Sequence, residues 1–533
     1  MGVFANRNDF RFRAWHVGLL ALVFALALGM IRPGVSWGSS VYSPGSDPYS
    51  LQNVTAADGV QAWWNAGVTG KGVDVALIDT GVSPVPALRA SGKIVNGPDL
   101  SLESQDPSFQ HLDTNGHGTF MAGIVGGNDG QPGGYRGVAP DSRILSVKVG
   151  DANGGVDVSQ VIAAVDWVVQ HRYDHGLNIR VINLSYGTNS TQPYMLDPLA
   201  YAVEQAWKAG IVVVTAAGNT GIGSGLADPA YDPSLISVGA SDTNGTASTA
   251  DDRPAQFTAG AATCVPGNCV EPTLLAPGVH MQGVRVPGSY VDQNNPSAVL
   301  GSLYFRGSGT SEAAAYVTGA VALLLQKYPK LTPDQVKQLV ISGAQTLPGV
   351  SPLVQGHGEL DLSKLLPAGG GPGHAPGPAL PATPPGHGSG PVWSSGRGSL
   401  GLSRGDDLLS MNGIVLQGDK DIFGKLFNAK TMAALEASGH SWSGGTWNGS
   451  SWSGSSWSGS SWSGSSWSGS SWSGSSWSSL TWAGNSWSGS SWSGSSWSGS
   501  SWSGNSWSAS SFSGGNWSGS SWSGAQWLGA SWG

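Results

Sequence analysis

An α/β fold, with a parallel sheet and helices on both faces, is what the stretch from Val73 to about Leu347 predicts. Three observations carry that class. Apolar, β-branched runs recur at 73–78, 144–149, 181–185, 211–215 and 235–239. Helical periodicity separates them, as at Val161, Ile162, Val165 and Val169. Asp79 and Asn219 stand just past the ends of two runs, where open α/β sheets place their ligands. Two more segments read as helix starts, one at His117 and one at Ser311, because apolar, alanine-rich stretches follow each. The domain closes on Thr332, Pro333 and Gln335, an N-cap, an N1 proline and an N3 glutamine that together predict a capped helix.

Chemistry is concentrated in three short stretches: Asp79 in Leu-Ile-Asp-Thr-Gly, His117 in Asn-Gly-His-Gly-Thr, and Ser311 in Gly-Thr-Ser. A serine hydroxyl is a poor nucleophile until an imidazole takes its proton. The imidazole in turn needs a carboxylate to fix its tautomer and stabilise its charged form. Each residue alone has an ordinary structural reading: a strand-end carboxylate, a loop histidine between glycines, a helix N-cap. All three in one order, each in a fitting context, predict a nucleophilic triad. His111 lacks such a setting and is expected at the surface.

In this order the chain resembles the subtilisin-like serine proteases, over roughly residues 50–365. The resemblance implies that Asn219, in Ala-Ala-Gly-Asn, donates to the oxyanion of the tetrahedral intermediate. It also implies that Ser185, Tyr186 and Gly187, with Ala216, Ala217 and Gly218, pair with the substrate backbone and wall the primary specificity pocket. The implied activity is endopeptidase cleavage of proteins or peptides without a cofactor. Structural calcium is common in the family, but no ligand loop is evident here. The pattern departs from the family at Glu312 and Ala315, where Met and Pro are usual. Glu312 is expected to point into a polar pocket and to leave no sulfur beside the nucleophile. The relatives' inhibitory pro-domain is expected to be missing, since fewer than 20 residues separate Ile31 from the family-like start at Tyr49.

The rest of the chain divides at composition changes. Residues 1–40 carry Arg7, Arg11 and Arg13 before an apolar run from Val17 to Ile31, the pattern of a signal peptide or retained anchor. Both readings make the protein secreted or surface-associated. Cys264 and Cys269, the only two cysteines, flank a Pro-Gly turn and predict a local disulfide in an oxidising compartment. The protease-like domain spans 45–365, a Pro/Gly linker 366–391, and a small adaptor segment 392–440.

From 441 to 533 an aromatic residue recurs every fifth position, eighteen tryptophans and Phe512, with no Asp, Glu, Lys or Arg. The net charge of -8 therefore belongs to the first 440 residues, and no basic cluster suggests a nucleic-acid partner. A period of five keeps aromatics on one face of neither a helix nor a flat strand. It predicts a four-sided solenoid coil or a low-complexity tail, with adhesion to carbohydrate or the cell envelope as its role. A rival function follows: a catalytically weak scaffold serving adhesion through the tail.

Overall fold

The structure, a computed structural model, describes residues 42–452 apart from 106–107, 132–133, 262–269, 367–391 and 412–413. Everything below concerns the unit that begins at Ser43. The signal segment, the pair Cys264 and Cys269, the linker beyond Leu366 and the repeats beyond Trp452 lie outside the described residues. Among the described residues no helix is long and apolar enough to cross a membrane.

All five anticipated strands form, with ends within three residues of expectation. They are β1 (Asp74–Asp79), β3 (Arg143–Lys148), β4 (Ile179–Leu184), β5 (Val212–Ala216) and β6 (Ile236–Asp242); β2 (Ile94–Asp99) and β7 (Leu274–Pro277) join them. Short β8 (Ala344–Gln345) and β9 (Glu359–Leu360) complete the order β8-β9-β7-β6-β5-β4-β1-β3-β2. Pairing is parallel from β2 to β9, and β1 sits centrally, with Ile78 opposite both Val147 and Leu184. All six residues of β1 are buried, as expected of a parallel strand covered on both faces.

Helices α1 (His117–Gly126), α2 (Val158–His171), α3 (Pro198–Lys208), α4 (Thr310–Lys327) and α5 (Pro333–Gly343) cover the sheet. The predicted capping box of Thr332 and Gln335 starts α5, and Asp157 with Gln160 makes another for α2. Helix α4 is buried from Thr310 to Leu325 and packs on both α1 and strands β4 to β6. A Cβ on Gly319 would meet Val138 Cβ at 2.5 Å, so only glycine lets α4 lie this close.

The segment after residue 391 docks on this body, against α2 and α3. Ser394 donates its N–H to Glu204 (2.7 Å), Ile422 donates to Ser159 Oγ (3.0 Å), and Tyr201 donates its hydroxyl to Ala433 O (3.0 Å) in α6 (Ala429–Ala437). Arg404 is completely buried and pairs with Asp157 at 2.5 Å.

The first pentads extend the same docked surface as an antiparallel meander of β10 (Trp442–Ser443), β11 (Thr446–Trp447) and β12 (Ser450–Ser451). The turns Gly444-Gly445 and Asn448-Gly449 have positive φ at both central residues, as type I′ hairpins require. Trp442 and Trp447 lie on separate short strands, an arrangement the expectation for a single flat strand did not consider. Because the chain reverses between them, Trp442 lands directly opposite Trp447, and the Trp452 ring lies 5.7 Å from both, stacked on Trp447 and tilted to Trp442. The indoles face the α/β body: Trp442 donates to Ala163 O (2.9 Å) and the fully buried Trp447 to Asp166 Oδ2 (2.8 Å). Trp447→Ala is accordingly expected to cost about 3–5 kcal/mol, read as a lower midpoint in denaturant unfolding. A truncation that removes only the tail belongs after Trp452.

Candidate active site

Asp79 is the last residue of β1, and His117 the first of α1. Asp79 Oδ1 lies 2.8 Å from His117 Nδ1 and also accepts the Thr80 N–H at 2.8 Å. In the neutral imidazole that contact favours the proton on Nδ1, which leaves the Nε2 lone pair free to accept. A residue the sequence did not single out builds the loop that carries His117. Buried Asp113 accepts from the Thr80 hydroxyl (2.8 Å), the Gly116 N–H (2.7 Å) and the Thr119 N–H (2.7 Å). The Thr80 hydroxyl in turn accepts the Gly118 N–H at 2.9 Å. Asp113 and Thr80 thus lock the two strand-end loops together. The sequence signal was present, in an aspartate four residues before the histidine and a threonine after Asp79, but an Asx-type turn explains both equally well.

Ser311 is the second residue of α4 and is 8% exposed, with the first-turn N–H groups and the positive end of the helix dipole around it. It opens onto a cleft of about 590 Å³ that Ser185, Tyr186, Gly187, Ala216, Gly218 and Asn219 also line. Asn219 is exposed, and its Oδ1 accepts from the Thr310 N–H (2.9 Å) and hydroxyl (3.0 Å). With Oδ1 committed, the amide Nδ2 is the end left to donate. Ala217 differs from its neighbours. It is fully buried, and its N–H and carbonyl are taken by Val238 and Ala227, so it backs the wall rather than facing the cleft. His111 is half-buried, not on the surface, and its N–H reaches Asp99 at 2.9 Å.

Glu312 turns the other way, into a neighbouring cavity of about 290 Å³ shared with His117, Phe120, Arg306 and Ser308. The pocket is mixed, not simply polar. Gly307 and Gly309 make the space for the carboxylate; a Cβ on Gly309 would sit 2.6 Å from Glu312 Oε2. Burial pushes the Glu312 carboxyl up, while the charge of His117 pulls it back down. Burial alone would lower the imidazole of His117. The charge and hydrogen bond of Asp79, with Glu312 and Asp113 behind it, outweigh burial and raise the imidazole to about 9. The Asp79–imidazolium pair therefore stabilises the fold fully below about pH 6.5, and that contribution is lost as pH rises through about 9.

A base must be neutral to accept a proton, so with His117 in that role the acid limb of kcat/KM is expected to follow the same titration. Glu312→Gln is expected to move that limb to lower pH. A midpoint lower by about one pH unit leaves roughly ten times as much neutral imidazole at pH 7. A pH–rate profile that coincides with wild type would remove Glu312 from this role.

Among the described residues no group of three or more His, Cys, Asp or Glu is placed to hold a metal ion. The calcium expectation gains no ligand set from them.

A family model described as the subtilase family matches residues 70–358. The chain is 39% identical over 305 residues to "Serine protease AprX" of Bacillus subtilis (strain 168), covering 56% of this chain and 67% of that protein. It is 33% identical over 294 residues to "Thermostable alkaline protease" of Halalkalibacterium halodurans, covering 55% of this chain and 67% of that protein. It is 34% identical over 304 residues to "Subtilisin DY" of Bacillus licheniformis, covering 56% of this chain and 92% of that protein.

Proposed function

The chain belongs to the subtilase family and is a serine endopeptidase; from that premise we propose that Asp79, His117 and Ser311 form its triad, in a secreted enzyme held near a surface by its tail. The observation that carries the triad is the 2.8 Å contact between Asp79 Oδ1 and His117 Nδ1. Packing of α1 on α4, with His117 and Ser311 at their starts, supports the same reading.

Ser311 Oγ attacks the scissile carbonyl carbon while His117 Nε2 takes its proton. The oxyanion that forms is held by Asn219 Nδ2 and the Ser311 N–H. His117 then gives the proton to the leaving amine, and the acyl-enzyme remains. Water attacks the ester with His117 again as base, which frees the acid product and restores the serine. Asp79 stabilises the imidazolium in both halves. An imidazole raised to about 9 predicts a rate that climbs toward that pH, read as the acid limb of a kcat/KM profile.

The cationic, then apolar N-terminus supports secretion. The uncharged tryptophan repeats beyond residue 452 support adhesion to carbohydrate or cell-envelope surfaces, since indole faces stack on sugar rings. A fluorophosphonate probe tests the core of the proposal. Wild type should be labelled and Ser311→Ala should not; a folded wild-type protein that takes no label sinks the reading.

A further inference from the structure

A buried cation stands at the root of the loop that carries His117. Lys148 is the last residue of β3, and its side chain has no exposure. It lies level with Asp79 on β1 and with Asp99 on β2, so it shares the sheet edge that presents the Asp79 carboxylate. An ammonium has three donors, and here all three are used. Lys148 Nζ donates to Leu112 O (2.5 Å), Phe109 O (3.3 Å) and Glu103 Oε2 (2.6 Å). Both carbonyls belong to the run that leads into Asp113. Glu103 carries the same hold forward, since its Oε2 accepts the Thr114 hydroxyl (2.6 Å) and its Oε1 the Ala152 N–H (3.1 Å). Ala152 O accepts from Asn115 Nδ2 (2.9 Å), and Asn115 Oδ1 accepts the His117 N–H (3.2 Å). Asp99, Asp151 and the imidazole of His111 also face Lys148. Burial pushes the carboxyls of Asp99 and Asp151 up, and the Lys148 charge draws both back down. Burial lowers the His111 imidazole, and the Lys148 charge acts in the same direction.

We propose that Lys148 is a positioning residue for catalysis: it pins the 109–117 loop to the sheet edge and so sets the imidazole of His117 against Asp79. This rests on the triad reading given above. Lys148 touches neither substrate nor the reacting atoms and acts through His117. Its strand end is tied to Asp79 by the next residue, since the Val149 N–H donates to Asp79 O (2.8 Å). The carboxylate and the loop that brings the imidazole are therefore held from one rigid reference. Asp113 ties this loop to Thr80, whereas Lys148 holds the stretch before it at two further points, the carbonyls of Phe109 and Leu112. A catalytic group displaced by about 1 Å costs on the order of 100-fold in rate, so the pins bear on turnover as well as on folding. A buried ammonium needs a counter-charge, and Glu103 supplies it.

Lys148→Met removes the bonds to both carbonyls, but it also strips Glu103 of its counter-charge and is expected to destabilise the fold. The test therefore adds the full-length double variant Lys148→Met/Glu103→Gln, which leaves the net charge unchanged and keeps an amide to bond Thr114 and Ala152. Its unfolding midpoint is recorded, and its active sites are counted with a fluorophosphonate. Per active site, kcat for a peptide amide is expected to fall about 10–100-fold with KM unchanged. The acid limb of kcat/KM is expected to move to lower pH, because an imidazole held less closely to Asp79 titrates lower. A folded double variant with the wild-type kcat and acid limb overturns the proposal. A fall in kcat with the acid limb unmoved overturns it too, since that marks a general loosening of the fold. Labelling separates this from the triad reading: a labelled wild type with either overturning result loses only the role of Lys148, whereas an unlabelled wild type loses both.

Discussion

Alanine in place of His117 is expected to lower kcat for peptide hydrolysis by on the order of 10⁶-fold while leaving KM close to wild type. The imidazole touches the proton in flight and little of the bound ground state, so its loss is felt in the transition state. Ser311→Ala should cost about as much, and the double variant about as much as either single one, because the serine is not activated without the base. A residual rate of roughly 10³–10⁴ over water should survive from binding and the oxyanion donors. Asp79→Ala is expected to cost less, on the order of 10⁴-fold, since the imidazole remains but loses its fixed tautomer. Kinetics on all four variants, with unfolding midpoints to confirm that each is folded, check this. Losses that simply multiply in the double variant would mean that the residues act independently, and the triad reading would fall.

The residues that make this prediction sharp are visible in the sequence for a physical reason. Asp79, His117 and Ser311 each sit where a local pattern changes: the end of an apolar strand or the first turn of a helix. Such junctions leave a signature within a window of ten residues. What holds them does not. Asp113 bonds Thr80 across 33 positions, and Arg404 bonds Asp157 across 247, so neither pairing has a local period to betray it. The docked segment after residue 391 is hidden for the same cause. Its apolar residues are too few and too short in range to declare a partner, and the partner is a helix more than 200 residues earlier. The pentads mislead in a different way. A spacing of five flips faces on one continuous strand, whereas a two-residue turn between Trp442 and Trp447 sets these two opposite one another.

Asn219 carries the second large effect, and the structure says which of its atoms matters. Oδ1 is tied to both donors of Thr310, so the side chain is held as one rotamer and Nδ2 is presented to the cleft. A donor already in place costs no reorganisation when the oxyanion forms, which is why such groups act on kcat rather than KM. Asn219→Ala is therefore expected to lower kcat by about 10²–10³-fold with little change in KM. Asn219→Asp separates donation from positioning. The aspartate keeps an oxygen for Thr310 but sets a second oxygen where Nδ2 stood, so a negative charge faces the developing oxyanion. Its loss in kcat should exceed that of the alanine variant, even though its bonds to Thr310 are preserved. If the aspartate were instead the milder of the two, Asn219 would be a tether for Thr310 at the start of α4, and the oxyanion would have to be held by other donors.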